Sequence, residues 1–151
     1  MFDRLQQPSV NSEAVESQIW EEWSKSGSPS MDLLLQRGRA AMEEQDWASA
    51  IGFFTALTDH APDFAEGWNA RATAYYNSGL YGPALADIRT ALRLNPRHFG
   101  ALSGLALILE DLGHPEDAIE VWHKVQELTP YRPAVKEAIE RLDKELTGET
   151  L

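Results

Sequence analysis

Cysteine is absent from the chain, which excludes disulfides, thiol catalysis and thiolate metal sites and leaves the redox state of the compartment unmarked. Basic residues are scarce: 13 Lys and Arg stand against 24 Asp and Glu, a net charge of -11. A surface of that sign repels nucleic-acid phosphates and anionic lipid, so no nucleic acid is expected as partner, and a basic or amphiphilic polypeptide fits better. Long apolar runs are missing too. The longest, GALSGLALIL at 100–109, contains glycine and serine and is far shorter than the roughly 20 residues a helix needs to span a bilayer, so no membrane insertion is expected. The opening MFDRLQQPSV has neither the basic n-region nor the apolar h-region of a signal peptide. No GxGxxG, phosphate-binding loop, G-x-S-x-G or H-E-x-x-H occurs, and the serines have no convincing His and Asp set. The acid pairs Glu21 and Glu22, Glu43 and Glu44, and Glu110 and Asp111 are sequence neighbours, which diverge around a helix instead of converging on a substrate. No catalytic residue and no cofactor is expected. Aromatics are not scarce, and 151 residues of ordinary apolar content suffice for one domain with a buried core.

What is present is a period. Ala50, Ala84 and Ala118 are 34 residues apart, and so are Pro62, Pro96 and Pro130, and Leu34, Trp68 and Leu102. Within each unit the apolar residues take helical spacing twice, as in Trp68, Ala72 and Tyr75, then Ala84, Ile88 and Ala91, with a polar turn at Asn77 to Gly79 between them. Each unit is thus a helix, a turn and a second helix, closed by a proline that cannot continue the helix. The small residues Gly38, Ala72 and Ala106, with the three periodic alanines, let paired helices approach closely. A lone unit cannot bury its apolar face, so stability must come from stacked neighbours with covered ends.

The residues that recur resemble the 34-residue tetratricopeptide repeat. The middle unit supplies Trp68, Tyr75, Ala84, Ile88, Ala91 and Pro96; the first supplies Leu34, Gly38, Ala50, Phe54 and Pro62; the third supplies Leu102, Leu105, Ala106, Gly113, Ala118, Trp122, Val125 and Pro130. The resemblance covers residues 31–132 and implies an all-α fold, a right-handed superhelix of three repeats at 31–64, 65–98 and 99–132. Arg37 and Arg71 stand where leucine is usual, and their stems are expected in the helix layer with each guanidinium on a carbonyl or an acid. Leu57 stands where a small residue is usual, which implies looser packing between repeats one and two.

The flanks read as end helices. Residues 133–151 form a C-terminal lid with Val135, Ile139, Leu142 and Leu146 inward, and Glu137–Arg141 and Glu140–Lys144 at the i,i+4 spacing of stabilising pairs. Residues 10–30 hold a helix with Val15, Ile19 and Trp23 on one face, followed by a linker, while residues 1–9 read as a flexible end. An N-terminal cap on the first repeat helix accounts for the two tryptophans, because an uncapped end would expose an apolar face. The alternative is a segment that folds into the concave groove or exchanges with a second chain.

The resemblance implies a non-catalytic protein-interaction adaptor, binding a peptide or protein segment in the concave groove formed by the first helix of each repeat. The side chains it places there are Leu35, Arg39 and Met42, then Asn69, Thr73, Tyr76 and Asn77, then Ser103, Leu107 and Asp111. Such a mixture can hydrogen-bond an extended backbone while Met42 and Tyr76 offer apolar contact. Chaperone-binding members grip a terminal carboxylate with Lys, Arg and Asn at positions that read here Leu35, Arg39, Ala70, Gly100 and Gly104, so a single cation remains and that role is set aside. The second class of function is a structural oligomer self-associating through the N-terminal helix; the chain is otherwise read as a monomer or weak homo-oligomer. Charge is uneven: the first and third repeats each hold six acids and two bases, the middle one two acids and four arginines. Arg89, Arg93 and Arg97, spaced i,i+4, either balance acids on neighbouring helices or form a convex docking strip for an acidic partner. His60, His98, His114 and His123 have no partner at metal-ligand spacing, so no metal is expected; His60 and His98, at repeat ends, suit solvent-exposed or capping roles. APDFAEGWNARATAYY and NPRHFGALSGL resemble small exported bacterial proteins of this type, which implies a periplasmic location, with a cytoplasmic one as the alternative.

Overall fold

The computed structural model describes residues 1–7 and 11–148, and all regular structure among them is helical: α1 Phe2–Leu5, α2 Ser12–Trp23, α3 Pro29–Glu43, α4 Trp47–His60, α5 Ala65–Asn77, α6 Tyr81–Leu94, α7 Phe99–Asp111, α8 Pro115–Leu128 and α9 Pro133–Thr147. Local chemistry sets the ends. Ser28 caps α3 and Asp46 caps α4, each accepting a backbone N–H three residues on, and proline opens α3, α8 and α9, where its missing N–H costs nothing.

The period of 34 is also a period of backbone geometry. At the turn inside each repeat the N–H of Asp46, Leu80 and His114 reaches back five residues to the carbonyl of Ala41, Tyr75 and Leu109, at 2.9, 2.9 and 2.8 Å. This closure needs a left-handed residue just before it. Gly79 (φ 77°) and Gly113 (φ 81°) supply it, and in the first repeat Gln45 does so at φ 59°. Where the second helices end, Ala61, Asn95 and Thr129 each donate to the carbonyl four residues back at 2.8 Å, and the periodic proline follows.

The chain forms two compact bodies, Trp20–Ala101 and, in the other, Met1–Ile19 with the residues from Leu102 on. In the first, Leu35, Ala50, Phe54, Leu57, Ala70 and Ala74 make a continuous core. Gly38 is required: a Cβ there would collide with the Phe54 ring. Leu57 does not loosen the packing, because it is fully buried and faces Gly67, where an added Cβ would lie 3.2 Å from the Leu57 Cγ. Arg71 behaves as expected of an inward cation. Its Nε and Nη2 bond the two oxygens of Asp87 at 2.8 and 2.9 Å, its Nη1 donates to Thr55 Oγ1 at 3.3 Å, and its guanidinium lies 5.1 Å from the Trp68 ring centre. Arg37 departs from expectation and is exposed. One period before Asp87 stands Phe53, which cannot partner a guanidinium.

In the second body Ala106, Ile108, Ala118, Trp122, Val125, Val135, Ile139 and Leu142 are buried. Leu146, expected inward, is 38 % exposed on the last turn of α9. Arg141 takes Glu110 on α7 at 2.6 Å, where i,i+4 spacing had pointed to Glu137. The other Glu110 oxygen accepts from Trp122 Nε1 at 2.8 Å, so this carboxylate ties α7, α8 and α9 together. The expected flexible end is corrected over residues 1–7: α1 buries Leu5 to 1 % exposure, and Gln6 Nε2 donates to the Glu127 carbonyl at 2.9 Å. Pro8 and Ser9 lie outside the described residues.

Candidate functional site

The first helices of repeats one and two carry seven of the ten candidate groove residues, and four of these share one cavity. Arg39 and Met42 of α3 with Asn69 and Thr73 of α5 line a space of about 230 Å³, together with Phe54, Glu66, Ala70 and Trp20. Helical spacing explains the sharing, since Arg39 and Met42 are three apart, as are Glu66 and Asn69, and Thr73 is four beyond.

A buried carboxylate organises the floor. Glu66 is 3 % exposed. Its Oε2 lies 2.6 Å from Arg39 Nη2, and its Oε1 accepts from Asn69 Nδ2 at 2.9 Å and meets His98 Nε2 at 3.1 Å. The His98 ring is fully buried, and its Nδ1 accepts the Ala101 N–H at 3.1 Å, capping α7. Nδ1 being an acceptor, Nε2 carries the hydrogen and donates to Glu66. His98 is thus a cap, as expected for a repeat end, but an enclosed one. The groove's cation is neutralised from below, and Arg39 Nη2 also donates to Ser24 Oγ at 3.1 Å.

Aromatic rings from the end of α2 stand over this floor. Trp23 stacks on His98 with centroids 4.5 Å apart and an interplanar angle of 26°. Trp20 meets His98 and Phe99 edge-on at 5.2 and 5.8 Å. Gly100 admits it: a Cβ at that position would lie 2.6 Å from Trp20 Cη2. Trp20 therefore stands at the cavity that Arg39, Met42, Asn69 and Thr73 line.

The remaining candidates fall elsewhere. Leu35 is buried in the core. Tyr76 stacks on Tyr81 at 5.5 Å, and Asn77 is exposed at the end of α5. Ser103, Leu107 and Asp111 lie on α7 in the other body, half-buried, 41 % exposed and exposed. Arg89 and Arg93 are exposed on α6. Arg97 does not continue their helical strip, because α6 ends at Leu94 and the Arg97 N–H instead bonds Asn95 Oδ1 at 3.2 Å. Sequence reasoning missed Glu66 and the enclosure of His98. An acid in the first turn of a helix is commonplace on surfaces, and no local signal separates it from one held under a neighbouring helix.

The sequence profile of the tetratricopeptide repeat family matches residues 35–86 and 69–133. A TPR repeat-containing protein of Rhizobium etli is 35% identical over 135 residues, 89% of this chain and 66% of its own length; the chain spans 34% and 19% of the next two curated relatives. Among solved structures, the Sgt2 TPR domain of Aspergillus fumigatus superposes with a TM-score of 0.73 at 28% identity, covering 80% of this chain and 81% of that one. The first TPR of Spaghetti (RPAP3), bound to an HSP90 peptide, superposes with a TM-score of 0.74 at 22% identity over 78% of this chain and 93% of that one, a likeness of fold alone.

Proposed function

The chain belongs to the tetratricopeptide repeat family, and from that premise we propose that it is a non-enzymatic protein-interaction adaptor whose cavity at Arg39, Met42, Asn69 and Thr73 takes a peptide or protein segment. One observation carries the reading: the cavity has an apolar wall, Met42 and Phe54, beside a polar floor whose charge is cancelled internally by Glu66. Such a site suits a neutral or apolar segment, bound through shape and a few hydrogen bonds. A bound peptide is seen in the Spaghetti structure, and the proposal extends peptide binding to this chain without extending that ligand. Arg39 already holds a carboxylate, so an acidic peptide end would have to compete with Glu66 for it.

A displayed library of short peptides selected against the full chain tests this. Selected ligands should bind in the micromolar range, about -8 kcal/mol or weaker, given so small a site. Thr73→Arg places a long side chain in the cavity from an exposed position and should weaken them at least about tenfold. Ligands indifferent to Thr73→Arg and to Met42→Glu would remove the site from this cavity.

A further inference from the structure

The seat under Trp20 and Trp23 has the properties of a receptor. His98 offers a ring face, Phe99 a second ring, and Gly100 a gap that only a residue without Cβ leaves open. The polar atoms beneath are satisfied among themselves, Glu66 with Arg39, Asn69 and His98, and His98 with the Ala101 N–H. The seat therefore asks an incoming group for no hydrogen bond and rewards flat apolar surface. Trp20 and Trp23 are three apart on α2, which brings both rings to one side of the helix, their centroids 5.9 Å from each other.

We propose that the face made by His98, Phe99 and Gly100, with the adjoining cavity, is a docking site for a helix presenting two aromatic side chains one turn apart, that α2 fills it in cis, and that a partner helix enters by displacing α2. The inference rests on the adaptor reading and names the partner's chemistry. Two features suit α2 to release. Both tryptophans are only partly buried while docked, and α2 carries into its position a Glu16 oxygen with no hydrogen-bond partner, Arg132 Nε being 3.7 Å away. The linker marks where release would begin: Ser26 is tied to Asp32 through its N–H and hydroxyl at 2.9 and 2.5 Å, so the chain beyond it stays with α3, and on the α2 side displacement gives up the Arg39 bond to Ser24 Oγ. An occupant tethered this closely lowers the apparent affinity of any partner by the fraction of time the seat is filled.

A fluorescently labelled synthetic peptide of residues 11–25 is the probe, titrated against the full chain in three forms: wild type, Trp20→Ala/Trp23→Ala, and that double variant with Gly100→Ala. Circular dichroism and thermal melting check each fold. The emptied double variant should bind the probe at least about tenfold more tightly than wild type, and Gly100→Ala should reverse that gain, since its methyl occupies the gap. Equal affinity for wild type and folded double variant, or indifference to Gly100→Ala, overturns the proposal without touching the library test of the cavity. Should the double variant not fold, amide exchange on the wild type decides. Faster exchange across α2 than across α3–α6, increased further by excess probe, supports displacement; equal protection makes α2 an integral core helix and overturns it. A wild-type dimer that the probe dissociates would make the occupant a second copy's helix, which also overturns the cis arrangement.

Discussion

Arg71 and Arg37 occupy the same place in successive repeats, yet one is clamped by Asp87 and the other exposed; the residue one period before Asp87 is Phe53, which offers no anion. Asp87→Ala should lower stability by about 3 kcal/mol, chiefly by leaving a half-buried guanidinium without its anion. Arg37→Ala should stay within about 0.5 kcal/mol in the same urea titration. Gln45 holds a left-handed backbone that its period mates give to glycine, so Gln45→Gly should raise stability by about 1 kcal/mol; a lower midpoint would mean that the glutamine side chain contributes more than its backbone costs. Glu16 gives a pH prediction with a definite sign. Burial pushes its carboxyl above the ordinary glutamate range, with Glu13 adding to the rise and Arg132 opposing it. The folded state then takes up the proton before the unfolded state does. Its contribution is fully present below the ordinary glutamate range and is lost as pH rises through the raised value. Glu16→Gln should remove this component from the pH dependence of the melting temperature.

At the scale of elements, the two end helices differ in how far they could be read. The apolar face of α9 over Val135, Ile139 and Leu142 is visible as a 3.6-residue pattern, whereas α1 has four residues, too few to show any period. Its one buried side chain is Leu5. Leu5→Ala should cost about 2–3 kcal/mol, as for other buried leucines, although the first nine residues read as a flexible end; an unchanged melting temperature would place Leu5 outside the core. In the body that holds α9, Glu110→Ala should destabilise by about 2 kcal/mol through loss of the bonds to Trp122 and Arg141. A charge-paired helix surface, the reading from i,i+4 spacing, forecasts no such loss, because it assigns Arg141 to Glu137. Helix spacing establishes which side chains can meet along one helix; it carries nothing about a carboxylate from another.

For the molecule as a whole the sign of charge governs association. With a net charge of -11, nonspecific attraction to basic polypeptides should fade as salt rises. The cavity should behave differently, since Glu66 already cancels Arg39. Ligands selected there should change affinity by less than about threefold between low and high salt, and Arg89→Glu/Arg93→Glu should leave them unaltered. Steep salt dependence together with loss in that double variant would move the binding surface to the exposed side of α6.

The sequence alone determined what repeats: the helix pairs, the turn that wants glycine, the proline that ends each repeat, and the small residues at Gly38, Ala72 and Ala106. These follow from forces acting within a few residues or at a fixed spacing, so 34-residue arithmetic exposes them. The resemblance to the repeat family, and not spacing by itself, pointed to Arg39, Met42, Asn69 and Thr73, and these four line one cavity. Only the tertiary structure decided what departs from the repeat. Leu35 went to the core and Tyr76 to Tyr81, Glu66 came under Arg39 and His98, and Trp20 came to stand beside the cavity. Those contacts join residues 27, 32 and 78 positions apart, as in Arg39–Glu66, Glu66–His98 and Trp20–His98. Their energy depends on burial and on distances that a linear spacing does not contain.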